Sequence, residues 1–152
     1  MIDEQDIKAA QESWGRSLIE VGAAGSWEAA RARAELLVAE HYLVEDCNLL
    51  FCPTKASAQQ FRCDLKAAVA YFVGRDSDFP EDTGFALEPW ESVRFENSGL
   101  VVRPSFTAAM GNYYFGRTDG SELKVEYSFV YVREGSGAVK IQLHHSALPF
   151  GA

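Results

Sequence analysis

The densest set of chemically able side chains in this sequence is His144-His145-Ser146, near its C-terminal end. Imidazole titrates near neutrality and can take a proton from water or a hydroxyl. On a regular strand the two adjacent rings point to opposite faces and cannot serve one centre together. The third histidine, His41, lies in a helical stretch, and no H-x-H or H-E-x-x-H spacing occurs. The sequence therefore predicts no metal site and no cofactor. Ser146 has no G-x-S-x-G elbow around it, and neither G-x-x-x-x-G-K-[ST] nor G-x-G-x-x-G occurs, so triad and nucleotide chemistry are set aside. Thr54, after Pro53 at the end of a short strand, and Tyr71, on a short apolar helix, add hydroxyls to the candidates. A buried tyrosine hydroxyl needs a partner, and an apolar pocket with a few convergent polar points suits a small ligand. Lys55 and Arg62 read as solvated charges. Cys47, Cys52 and Cys63 are odd in number without a C-x-x-C, and read as reduced thiols.

Helices must position the first half of these residues. Ile7, Ala10, Trp14, Leu18 and Val21 make one helical stripe, which Gly22 and Gly25 end. Ser26 caps a second helix with Trp27, Ala30, Ala34, Leu37 or Val38 and His41 on its apolar side. A strand over Asn48 to Phe51 and a short helix capped by Asp64 and stopped by Gly74 follow. The second half predicts strands: Val93 and Phe95 in alternation, a turn at Asn97-Ser98-Gly99, Leu100–Arg103, Ser105–Arg117, Leu123–Arg133 and Val139–Ser146. Asp119-Gly120 and Glu134-Gly135-Ser136-Gly137 mark hairpins. On the last strand Ile141, Leu143, His145 and Ala147 share one parity, and Lys140, Gln142, His144 and Ser146 the other. A bulge would exchange the faces. The pattern is α+β, with three N-terminal helices on a mostly antiparallel sheet and no linker dividing residues 1–152. Val130 and Val132 make the sheet's second face partly apolar, so homodimerisation through that face is expected.

The chain has 152 residues, with 14 Lys+Arg against 22 Asp+Glu and a net charge of −8. That balance argues against nucleic acid and acidic membrane as partners. No apolar run approaches the roughly 18 residues of a membrane span. Met1–Asp6 is acidic and lacks a signal-peptide core, which points to a cytoplasmic protein or to one whose leader has been removed.

The chain resembles a known family in several ordered segments. They are Phe51-Cys52-Pro53-Thr54-Lys55-Ala56, Gln60-Phe61-Arg62, Tyr71-Phe72-Val73-Gly74, Gly84-Phe85-Ala86-Leu87, Arg94-Phe95-Glu96-Asn97, Ala109-Met110-Gly111-Asn112-Tyr113-Tyr114-Phe115, Lys124-Val125-Glu126-Tyr127 and Leu143-His144-His145-Ser146. In these it is similar to the iota-class carbonic anhydrases, across nearly its whole length. The resemblance implies the NTF2-like cone fold, shared with the association domain of calmodulin-dependent kinase II. It also implies a homodimer and reversible hydration of CO2 to bicarbonate, metal-free in some members. By motif, the family's anion-binding residues fall on Thr54, Tyr71 and Ser146. Two positions depart from the family pattern: Ala147 replaces a second serine, and Cys52 stands where a lysine is frequent.

The mechanism this implies has His145 or His144 taking a proton from the attacking water while Thr54, Tyr71 and a serine hydroxyl bind the developing carboxylate. Two other readings of the cone remain open. One is a non-catalytic ligand-binding or assembly module. The other is an isomerase or hydratase for a larger apolar substrate, needing an acid inside the cone, for which Asp46, Asp64 and Glu126 are the candidates.

Overall fold

A computed structural model describes residues 1–152. Helix α1 spans Glu4–Gly22 and starts on a reciprocal cap. The Asp3 carboxylate accepts from the Asp6 amide at 2.9 Å, and the Asp6 carboxylate from the Asp3 amide at 3.1 Å. The cap satisfies amides that a helix N-terminus leaves open. Its buried face carries Ile7, Gln11, Trp14, Leu18 and Val21. Helix α2, Trp27–His41, is capped by Ser26 and buries Ala30, Ala34, Leu37, Val38 and His41. Helix α3, Leu65–Val73, is capped by Asp64, and every residue from Ala67 to Val73 is buried.

Five strands form one sheet: β1 Leu50–Cys52, β2 Ser92–Val102, β3 Thr107–Gly116, β4 Glu122–Arg133 and β5 Val139–Ala147. Their order is β1-β5-β4-β3-β2, with β1 parallel to β5 and the rest antiparallel. The helices cover one face, onto which Val125, Tyr127, Phe129 and Tyr131 of β4 project and are buried. The α+β architecture is the one the residue pattern predicts.

Three expectations are corrected. Asn97-Ser98-Gly99 is no turn, because β2 runs through it as a bulge against β3. Gln11 of α1 holds Asn97 there through two amide hydrogen bonds of 2.8 and 3.0 Å, a contact 86 residues apart in sequence. Cys47 and Cys63 are not free thiols but a disulfide, since the chain leaves and returns to bring their Cα atoms within 4.8 Å; Cys52 alone is free. Arg62 is not solvated. It is fully buried and makes a bidentate pair with Asp82 at 2.7 and 2.9 Å, while also donating to the Gln59 and Ala67 carbonyls. Gly74, at φ 65°, lets α3 stop where a Cβ would stand 3.0 Å from the Asp82 carbonyl oxygen, so Asp82 can reach Arg62.

Candidate active site

The disulfide and the Arg62–Asp82 pair pin the segment that carries Thr54 from the end of β1 toward α3. The strand, the helix and the sheet enclose a small cavity of about 10 Å³, room for about one water. Its apolar wall is Trp14, Phe51, Phe72 and Phe85, and its polar lining is Thr54, Tyr71, Tyr113, His144 and Ser146. The aromatics that project from α1 and the sheet fill the rest of this core. Trp14, Phe95, Tyr113 and Phe115 pack with ring centroids 4.6–6.2 Å apart.

Strand β5 reaches the cavity through a bulge. Tyr127 pairs with Ser146, Phe129 with His144 and Tyr131 with Ile141, so Gln142 is the extra residue. Ile141, His144 and Ser146 are therefore all buried, although Ile141 and Ser146 differ in sequence parity. His145 faces the other way and is exposed. It lines an outer apolar depression with Leu50, Cys52, Phe61 and Leu143. The structure brings Thr54, Tyr71, His144 and Ser146 together and leaves His145 outside. Cys52 lies in the outer depression, and Ala147 does not line the cavity.

Each polar group has defined partners. The Ser146 hydroxyl is 2.8 Å from His144 Nε2, and the Tyr113 hydroxyl is 3.0 Å from the same nitrogen. Tyr113 and Ser146 also hydrogen-bond each other. His144 Nδ1 is 2.9 Å from the Tyr42 hydroxyl, which accepts from Trp14 Nε1 at 2.9 Å. Across the cavity the Lys55 amide donates to the Tyr71 hydroxyl at 3.2 Å. Thr54 lines the same cavity beside Tyr71 and Tyr113.

Burial sets the protonation of all these groups. It pushes the His144 ring down to about 3, with the neighbouring His145 acting in the same direction. It raises the Tyr42, Tyr71 and Tyr113 phenols. The cavity is thus lined by neutral donors and acceptors near neutral pH. His144 is stacked on Phe51 and Phe129 at 4.8 and 4.2 Å, and both its nitrogens are engaged. No carboxylate lines the cavity, and Asp46, Asp64 and Glu126 are all exposed.

A shallow mouth adjoins the cavity through Tyr71 and Phe85. Lys55 lies there with its ammonium 5.9 Å from the Phe85 ring, beside Glu81 and Glu88. Glu81 is spent on the backbone: it accepts from the Ser57, Ala58 and Gln59 amides, which hold its carboxyl at about 2. Glu88 pairs with Arg117 at 2.7 Å. His41 is a clamp between helices, with Nδ1 donating to the Leu37 carbonyl and Nε2 accepting from Ser13. Cys47, Cys63 and Asp64 are clustered, but the joined sulfurs offer no thiolate to a metal. Sequence reasoning missed Tyr113 and Tyr42. Tyr113 shares parity with the buried Ala109 and Phe115 on β3, a usable signal, whereas nothing local marks Tyr42.

A family model described as metal-independent carbonic anhydrase matches residues 5–148. A metal-independent carbonic anhydrase of Nostoc sp. (strain PCC 7120) is 34% identical over 153 residues, covering 98% of this chain and 75% of that protein. The crystal structure of an iota-carbonic anhydrase from a cyanobacterium, complexed with bicarbonate, superimposes with a TM-score of 0.95 at 33% identity. It covers 99% of this chain and 94% of that one. A nuclear transport factor 2 (NTF2-like) superfamily protein from Salmonella enterica matches with a TM-score of 0.51 at 10% identity, over 94% and 93% of the two chains, and speaks for the fold alone.

Proposed function

The chain belongs to the metal-independent carbonic anhydrase family, and from that premise we propose that it interconverts CO2 and bicarbonate in the cavity between Thr54, Tyr71 and Ser146. The observation that carries this reading is the cluster of neutral hydroxyls around the His144 ring, closed off by an apolar aromatic wall. The wall suits CO2, which is apolar and small. The hydroxyls suit the oxygens of bicarbonate and of the transition state, where charge develops. The lack of a carboxylate in the lining speaks against an isomerase or hydratase that needs an acid inside the cone.

The chemistry follows from the neutrality of the lining. Water attacks the CO2 carbon and must lose a proton as the C–O bond forms. His144 has no nitrogen free to take it, and a charged imidazolium or phenolate is disfavoured in this buried setting. The proton therefore passes through hydroxyls, each accepting one proton and giving up another. Ser146 or Tyr113 takes it from the water, and a neighbouring hydroxyl returns one to a CO2 oxygen. The product is carbonic acid, which ionises to bicarbonate and a proton as it leaves past Lys55. Thr54 and Tyr71 donate to the substrate oxygens throughout. The Tyr71 oxygen already accepts from the Lys55 amide, which leaves its proton for the substrate.

Bicarbonate is thus the small-molecule partner of this reading. The homodimer belongs to it as well, formed on the outer sheet face where Met110, Val130 and Leu143 lie. Residues 1–152 act as one domain in it, and its setting is cytoplasmic. No helix is long and apolar enough to cross a membrane. Stopped-flow CO2 hydration on chelator-treated protein tests the proposal. Hydration above the buffer rate supports it, and a rate at the buffer level with every preparation folded overturns it.

A further inference from the structure

We infer that Tyr42, which meets the His144 ring at Nδ1, the nitrogen opposite Ser146, and Trp14, which donates to Tyr42, are positioning residues that fix the tautomer of His144 as Nε2–H, so that the ring donates toward the cavity. This inference rests on the carbonic anhydrase reading only for its consequence in turnover.

The indole Nε1 of Trp14 is a donor and never an acceptor. Its bond to Tyr42, 2.9 Å long, therefore occupies a lone pair of the phenol oxygen. The Tyr42 hydroxyl is buried, and its other partner is His144 Nδ1 at 2.9 Å. Its proton has one acceptor within reach, the Nδ1 lone pair. If Nδ1 instead carried the hydrogen, the phenol oxygen would accept twice and its own proton would be orphaned. An unpaired buried donor disfavours that arrangement by about tenfold or more. Nδ1 is thus bare, and a neutral ring must carry its hydrogen on Nε2.

The consequence lies on the other side of the ring. Nε2–H points between Ser146 at 2.8 Å and Tyr113 at 3.0 Å, and both hydroxyl oxygens can only accept from it. One hydroxyl proton of this pair is used in the bond between them, so the other is free to face the cavity. With the opposite tautomer Nε2 would be an acceptor, and it would draw that proton back from the substrate. The chain Trp14 to Tyr42 to His144 therefore sets the direction in which the cavity's hydroxyls donate. Tyr42 occupies the position after the last residue of α2 and Trp14 the middle of α1, so two helices orient the donor, α1 through an indole that also walls the cavity.

Histidine labelled with 15N gives the test, because ring nitrogen shifts separate the tautomers without any turnover. In the wild-type protein the His144 spectrum should show Nδ1 bare and Nε2 protonated. Tyr42→Phe keeps the ring in place but removes the donor to Nδ1. The expected result is a mixed tautomer spectrum, with kcat lowered about tenfold or more and KM little changed. Tyr131→Phe, which removes another buried hydroxyl from the same sheet face, should leave both spectrum and rate unchanged. A wild-type His144 protonated at Nδ1 overturns the inference, as does a Tyr42→Phe protein with the wild-type spectrum. An inactive wild-type protein that shows the Nε2–H spectrum would sink the enzymatic reading and leave the tautomer assignment standing.

Discussion

Ser146 Oγ lies 2.8 Å from Nε2 of His144, two residues earlier on the same inward face of β5. The contact joins a hydroxyl at the cavity to a ring held from behind by Tyr42. Ser146→Ala should remove one cavity donor and leave the rest in place, because Tyr113 still receives Nε2–H. Loss of one such donor costs about 2.7–4 kcal/mol in the barrier, or roughly 10²–10³ in kcat. The check is CO2 hydration beside circular dichroism, with an unchanged fold and a strongly reduced rate expected.

Stability should fall in mild acid because of His144. Burial holds its folded-state pKa at about 3, below the ordinary imidazole value of about 6.5. Between these values the unfolded chain binds a proton that the folded chain does not. The stabilisation is complete above about pH 6.5 and is lost as pH falls toward 3, with a slope of up to about 1.4 kcal/mol per pH unit. His41, also lowered by burial, adds in the same direction. Urea unfolding between pH 7 and pH 4.5 measures the slope. Comparison with His41→Gln separates the two rings.

The Arg62–Asp82 pair holds the segment below Thr54 and is nearly absent from solvent, with the side chains 0% and 1% exposed. Asp82→Asn leaves a buried guanidinium without its counter-charge. Breaking such a pair from one side costs about 3–5 kcal/mol. Thermal unfolding should show the loss as a lower melting temperature.

Reduction of the Cys47–Cys63 bridge should lower stability while leaving the cavity lining intact. The bridge closes a loop of sequence separation 16. In the chain-entropy account a loop of about that length contributes about 3 kcal/mol. The paired substitution Cys47→Ser with Cys63→Ser should therefore melt at lower temperature and keep CO2 hydration at temperatures where it remains folded.

The helices and hairpins were legible because their periodicity and caps are local: Ser26 and Asp64 each begin a helix as their side chains predict. Thr54, Tyr71 and Ser146 were legible through resemblance, and the structure sets all three on one cavity. What escaped was set by distant partners. The inward face of β5 depends on a one-residue bulge at Gln142 that pairing with β4 creates. The burial of Arg62 depends on Asp82, and the run of β2 through Asn97 depends on Gln11 in α1. Tyr42 acts on a histidine 102 residues away, which no pattern within its own helix could announce.

The most direct test follows the loss of ¹⁸O from labelled CO2 into water, using chelator-treated wild-type protein beside Thr54→Val. Valine keeps the shape of threonine and removes the hydroxyl of a residue that lines the cavity with Tyr71 and Tyr113. The account predicts exchange well above the buffer rate for the wild type and a fall of roughly 10² or more for the folded variant. Equal exchange by the two proteins, or a wild-type rate no higher than buffer, would contradict it.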